Sequence, residues 1–423
     1  MKRAYVGLHQ LVTMRGSTQP RTGAKMAELD VINDAAVIVE VEGPGHETIQ
    51  NVGRYGELRD DVAACDDEVD CDGLGIPAFV DAHTHLVWGG HRRDDFERRC
   101  QGMSYRQIAE SGGGILSTVR QTRTSSPGDL LDAATQRAFD MVALGTGVVE
   151  IKSGYGLDRD TEVRMLGVAG RLKGSPFAHV ERTYLGLHAV APEFDEKEAY
   201  VSFCLDEVLP EIAAQRLVSA VDIFVEEGYF TEEDATRLAA AARERRLALR
   251  LHVDQMAHHR GAELAARLGA KTADHLEHTD DAGIRAMANA GVIPILLPTS
   301  VYGLGLDHYP DARAMIDAGL PVVLATDFNP GSSPCPSMPM VHSTACRYMS
   351  MSPAECLTAS TINAAHALGI ADRFGSIEPG KQLVMAILDT NDYRDLAYSV
   401  GNNLVAAMCG LADERGDFEP VGY

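Results

Sequence analysis

The sequence predicts an α/β fold: a (β/α)8 TIM-like barrel with a small β-sandwich domain formed from both chain termini. Three observations lead there. Between residues 76 and 375, eight short apolar runs alternate with amphipathic helical stretches, the pattern of a parallel sheet. Polar or charged clusters close those runs, and barrels of this kind assemble their active sites at the C-terminal strand ends. The flanking segments share another style, short β-like pieces broken by Gly, Pro and Asp. The simplest account is a barrel domain over 76–375 inserted into a β domain made of 1–75 plus 376–423.

In chain order, Ala4–Leu8 and Asp34–Val41 read as strands of the β domain, which shows no long amphipathic helix. Barrel strands are expected at Ile76–Val80, Gly147–Ile151, Ala178–Leu187, Val221–Val225, Leu247–Leu251, Thr272–Asp274, Val292–Leu297 and Val322–Ala325. Helical stretches separate them, among them Leu130–Leu144, Glu232–Arg245, Gly261–Leu268 and Asp281–Ala290. Beyond the barrel, Gly375-Ser-Ile-Glu-Pro-Gly380 is a turn-rich approach to a last strand at Leu383–Leu388.

Composition bounds the function. The 423 residues, 45% of them hydrophobic, suffice for one barrel and an accessory domain. No apolar stretch approaches the ~20 residues of a membrane span. Met1-Lys2-Arg3 and the mixed polar residues after it lack a signal-peptide apolar region, so a cytoplasmic protein is expected. The eight cysteines show no paired spacing and read as free thiols. A formal charge of −23 argues against nucleic acid or an anionic membrane as partner.

The strand ends carry metal-ligand chemistry. The first run closes with Asp81-Ala-His83-Thr-His85, and side chains two apart on a strand point the same way, so the two imidazoles converge. His252 ends the fifth strand, Asp274-His275 the sixth and Thr326-Asp327 the eighth. Histidines plus a carboxylate, with one coordination position left to water, mark hydrolytic rather than structural metal centres. Asp327 can ligate the ion and also take a proton from water. His275 is either a fourth nitrogen or a proton-shuttling neighbour. The fourth strand closes with Val225-Glu226-Glu227 and no Lys, whereas Lys152 ends the second, which favours one metal ion over two. His258-His259 reads as a solvated helix start, and Gly112–Gly114 as a conformational element near the mouth.

Longer motifs narrow the reading. Pro77-Ala-Phe-Val-Asp-Ala-His-Thr-His85, Arg92, Gln101-Gly-Met-Ser-Tyr105 and Gly112-Gly-Gly-Ile-Leu-Ser-Thr-Val-Arg120 resemble the imidazolonepropionase family of the amidohydrolase superfamily. So do Glu150-Ile-Lys-Ser-Gly-Tyr-Gly-Leu-Asp158, Ala273-Asp-His-Leu-Glu277 and Ala325-Thr-Asp-Phe-Asn-Pro-Gly-Ser-Ser333. The resemblance runs over nearly the whole chain. It implies hydrolytic ring opening of 4-imidazolone-5-propanoate to N-formimidoyl-L-glutamate in histidine degradation, and a homodimer. It also implies that His83, His85, His252 and Asp327 hold one zinc or iron ion.

The same resemblance implies that Arg92, Tyr155, His188, Gln255, Asn329, Gly331 and Ser332 contact substrate or product. A propionate needs a cation, and Arg92 can grip a carboxylate bidentately; the alternative is a surface salt bridge with Asp94, Asp95 or Glu97. Tyr155 either reaches substrate or anchors its Gly-flanked loop, and Tyr105 is a further candidate for the carboxylate. Asn329 and Gly331-Ser332 offer amide and backbone donors, or else form a tight turn closing the barrel. Gln255 stands where some members of the family carry Glu, and an amide cannot act as a base, so proton transfer falls to Asp327 and His275. The competing reading is a related metal-dependent amidohydrolase that deaminates a purine- or pyrimidine-like heterocycle.

Overall fold

The computed structural model describes residues 1–16, 18–104, 107–108, 111–174 and 176–412. Four strands come first: β1 (Lys2–Val12), β2 (Val31–Gly43), β3 (His46–Arg54) and β4 (Asp67–Pro77). Eight follow: β5 (Phe79–Asp81), β6 (Thr146–Lys152), β7 (His179–Leu187), β8 (Ala220–Val225), β9 (Ala248–Val253), β10 (Thr272–His275), β11 (Ile293–Leu296) and β12 (Val323–Leu324). Then come β13 (Met385–Leu388) and β14 (Val405–Cys409).

The terminal strands form one sheet in the order β14-β13-β4-β1-β2-β3. Its far edges approach each other: Ile49 donates to Lys381 O (2.8 Å) and Leu383 donates to Glu47 O (2.7 Å), so β3 bonds to the segment leading into β13. The sandwich is thus a single sheet curled around Tyr5, Leu8, Val37, Val39, Ile49 and Met385. The run Ala35–Val39 is continuously apolar, which demands burial on both faces. Ala4, Val6, Ala36 and Ile38 point to the other face, where the helix Tyr55–Ala63, unforeseen in the sequence, covers them with Leu58 and Val62.

The first apolar run divides between the two sheets. Ile76 and Pro77 pair with Ala386 and Met385 of β13, and only from Phe79 onward does the chain pair with β6. Periodicity shows that a run is extended but not which neighbour it joins.

The barrel strands are parallel in the order β5 to β12. The ring closes just past the named strands. Asp327 donates its N–H to His83 O (3.0 Å), and His85 donates to Phe328 O (2.9 Å). Beneath that seam Thr326 donates to Asp81 from both its backbone N–H (3.1 Å) and its hydroxyl (2.6 Å).

Outer helices start where the chain supplies caps. Ser126 with Asp129 and Thr231 with Asp234 form capping boxes ahead of the helices Pro127–Val142 and Glu232–Arg245. Such caps stabilise a helix by about 1 kcal/mol each. The first of these helices therefore begins at Pro127, three residues before the apolar periodicity that announces it. No described helix is long and apolar enough to cross a membrane.

Candidate active site and metal centre

Strand alternation aims one set of side chains at the barrel axis: Asp81 at the end of β5 with His83 and His85 just past it, Glu150 and Lys152 on β6, Asp222 on β8, Arg250 and His252 on β9, and Asp274 on β10. All are buried. Lys152 Nζ lies 2.8 Å from Asp222, 2.9 Å from Glu150 and 3.2 Å from Asp274. Arg250 Nε lies 3.0 Å from the same Glu150, which also accepts from the Thr183 hydroxyl.

This charged floor orients the candidate ligands above it. Asp274 Oδ2 meets His83 Nδ1 at 2.7 Å, and Asp222 Oδ2 lies 3.1 Å from His252 Nδ1. For His83 the carboxylate hydrogen-bonded to Nδ1 fixes the tautomer and turns Nε2 outward, as in metal sites generally, whereas Asp222 reaches His252 only at ion-pair distance. Burial alone would lower the Lys152 ammonium, but Asp222, Glu150 and Asp274 hold it above its ordinary range, so it stays charged. Burial raises Asp274. His252 and Lys152 overcome burial to depress Asp222.

Facing outward, His83 Nε2 and His85 Nε2 lie 3.6 and 3.5 Å from Asp327 Oδ1. His83, His85 and Asp327 can each offer an atom within 4.8 Å of the others, and so can His83, His252 and His275. Nε2 of both His83 and His252 is buried without a hydrogen-bond partner. Buried polar atoms left unpaired are costly, and two nitrogens converging beside a carboxylate are what a cation satisfies. Charge balance agrees. Glu150, Asp222 and Asp274 outnumber Lys152 and Arg250 by one, and Asp327 adds a further carboxylate. The residues fit a metal ion.

Backbone strain marks the same rim. His275, Leu276 and Asp327 have φ of 80°, 70° and 51°, a region that costs a non-glycine residue about 1–3 kcal/mol. Those turns end the strands and redirect the side chains. Burial raises the Asp327 carboxyl above its usual range, against the pull of His275 and His252. Burial would lower His275, but Glu277, 3.2 Å from its Nδ1, outweighs it and raises the imidazole. Desolvation pushes Asp81 up to about 7.

A chamber of about 50 Å³ opens above the cluster, lined among others by Arg92, Tyr155, His188, Gln255, Asn329 and Ser332. His188 stacks on His85 with centroids 5.2 Å apart, and its Nδ1 lies 3.1 Å from Gly154 O. Burial lowers it to about 3, so it is neutral. Tyr155 packs 5.3 Å from His188, on a loop whose N–H groups at Gly154, Gly156 and Leu157 all donate to Glu162. Gly154 has φ 104°, and a Cβ there would sit 2.7 Å from Leu185 O. Glu162, on the helix after the motif, was invisible as a loop organiser.

Other candidates fall out differently. Asn329 spends its amide on the turn: Oδ1 accepts from Gly331 and Ser332, and Nδ2 donates to Asp327 O. Ser332 donates to Asp327 Oδ2 (3.2 Å), which aims the carboxylate. Gly331 lines a neighbouring cavity rather than this chamber. Gln255 and Met256 donate their backbone N–H groups to the buried Glu226, which also meets His259 at 2.9 Å. His259 is therefore engaged, not merely solvated. Tyr105 lies outside the described residues.

Arg92 is buried and pairs with Asp95 through Nε at 2.9 Å. Asp95 also accepts from the Gly114 N–H, which explains the Gly-rich stretch: it brings backbone within reach of this carboxylate. The ion pair given above as the surface alternative is thus a buried contact. Replacing Asp95 with Asn is expected to raise KM about tenfold with kcat little changed, given about 1.5–3 kcal/mol for a hydrogen bond to a charged group. Steady-state kinetics check this, and an unchanged KM would show that Arg92 holds its place without Asp95.

Comparison with known proteins places these features. The Amidohydrolase family matches residues 75–413. The imidazolonepropionase of Solibacter usitatus is 44% identical over 407 residues, covering 96% of each chain. That of Parabacteroides distasonis is 43% identical, covering 94% of each. Among solved structures, an adenosine deaminase from Xanthomonas campestris with bound zinc superposes with TM-score 0.71 at 20% identity, covering 96% of this chain and 91% of that one. E. coli guanine deaminase gives 0.69 at 12% identity, covering 96% and 97%. At such identities these two structures speak for the fold alone. With its family match spanning the barrel and its relatives aligned almost end to end, this chain belongs to the amidohydrolase family and, within it, to the imidazolonepropionases.

Proposed function

We infer that this chain hydrolyses 4-imidazolone-5-propanoate to N-formimidoyl-L-glutamate, the ring-opening step of histidine degradation. The observation that carries the reading is one chamber lined both by His85, His252 and Asp327, which cluster with His83, and by a buried arginine, in a chain 44% identical to an imidazolonepropionase. The substrate is a small molecule with a carboxylate, and Arg92 suits that group.

His83, His85, His252 and Asp327 would hold the ion, with zinc and iron both compatible with this donor set. Bound there, it would supply Lewis acidity and make a water acidic enough to ionise near neutral pH. The chain's own groups do the rest. Asp327 accepts the proton of the attacking water at its carboxylate and returns it to the departing ring nitrogen. His275, held by Glu277, donates toward the oxygen of the ring carbonyl as negative charge develops there. One such donor contributes roughly 3–4 kcal/mol. Arg92 holds the propionate, aided by Tyr155, and so fixes the carbonyl over the cluster. Neutral His188 packs on His85 and keeps its ring in place.

Arg92→Ala is expected to raise KM for the carboxylate-bearing substrate about 10–100-fold, with a smaller effect on kcat, because the lost contacts are charge-assisted. An unchanged KM moves the anchor elsewhere. The decisive experiment incubates metal-loaded protein with freshly generated imidazolone propionate, following loss of its ultraviolet absorbance together with ammonia release. Formiminoglutamate without ammonia supports the reading. Ammonia, or no turnover by protein that contains metal, overturns it.

A further inference from the structure

A larger cavity, of about 490 Å³, lies on the far side of Arg92. The wall between it and the reactive chamber is thin. Arg92 lines both spaces, and its guanidinium lies so close to Gly331 that a Cβ there would sit 2.1 Å from Nη1. The outer cavity falls in the range of about 300–1,000 Å³ typical of ligand pockets.

Charge in this cavity runs opposite to the chain. Of 423 residues, 61 are acidic and 38 basic, yet the lining holds His91, Arg93, Arg99 and Arg137 beside Arg92 and, among the described residues, not one Asp or Glu. Arg137 lies 3.4 Å over the ring of Trp88, and Nη1 donates to the backbone oxygens of Leu86 and Trp88 at 3.0 Å each. Both acceptors are neutral. Burial without a compensating carboxylate lowers this guanidinium to about 10. The remaining lining is mostly apolar, with the buried Trp88 and with Phe96 and Tyr302, each 58% exposed.

We propose that this cavity is a second binding site, for a planar organic anion: a ring stacked among Trp88, Phe96 and Tyr302, with its carboxylate on Arg93 and Arg137. The cationic lining selects charge, and the aromatic and guanidinium faces select flatness. The substrate inferred for the inner chamber is of this class, so the outer site concentrates such anions at the Arg92 partition. The assignment rests on the cavity alone and stands whether or not the ring-opening reading does.

Trp88 is the chain's only tryptophan, so its fluorescence reports this cavity specifically. Metal-loaded protein is titrated with 3-phenylpropionate, exciting at the red edge of the indole band. A saturable change in Trp88 emission is expected, weakened tenfold or more in the Arg93→Glu/Arg99→Glu variant and weakened by added salt. Asp327→Asn should titrate as the parent does, which separates this site from the reactive one. No saturable response, or one indifferent to both charge reversals, overturns the proposal. A response that vanishes as rising protein concentration drives self-association also overturns it, because a second copy then covers the cavity.

Discussion

Asp327→Asn is expected to lower kcat by about 10²–10⁴-fold, the span attributed to a positioned proton-transfer group. The amide keeps the volume of the carboxylate and can still accept from Ser332, so the turn at Asn329 should survive. What it cannot do is take a proton. Metal content, measured on the same preparation, separates the two duties assigned to this residue. Retained metal with lost turnover identifies the base, whereas lost metal identifies the ligand. Near-parental turnover would remove Asp327 from the chemistry altogether.

The second large effect falls on stability. Lys152→Met removes the cation shared by Glu150, Asp222 and Asp274 while leaving all three carboxylates buried. Breaking a buried ion pair from one side costs about 3–5 kcal/mol, because the partner charge is left without compensation. Here three partners are abandoned, and Arg250 reaches only Glu150. The variant should melt well below the parent and hold metal poorly, since Asp222 and Asp274 orient His252 and His83. A melt within a degree or two of the parent would mean that the floor is not held together by this lysine.

The candidate ligands stood out in the sequence because each sits where an apolar run stops. A run of five or six buried residues followed by His or Asp has few readings in a barrel. The floor beneath them left a fainter trace, a single charge inside an otherwise apolar run: Glu150 in β6, Asp222 in β8 and Arg250 in β9. Such charges must face the interior, yet little that is local says what they meet: Glu150 has Lys152 two residues on but Arg250 100 residues away, and Asp222 meets Lys152 across 70 residues and His252 across 30. Lys152 was noticed for its place at a strand end and valued only as an argument against a second ion. Its work is to hold three carboxylates still, two of which meet the imidazoles of His83 and His252. Asp95 and Glu162 were harder again, because their partners are backbone N–H groups of separate loops, and loop approach is not written in periodicity. Ile76 and Pro77 show the same limit in the fold: alternation fixes extension, and the neighbour is chosen by the rest of the chain.

The hydrogen bonds that close the ring join His83 and His85 to Asp327 and Phe328, so the cylinder is sealed by the residues that surround its chemistry. A growing chain that stops short of residue 327 would own the imidazoles and no seal. Competence is therefore all-or-none along the polypeptide: until the eighth stave slots against the first, fragments have neither an intact wall nor a complete donor set, and half-made copies are spared premature reactivity.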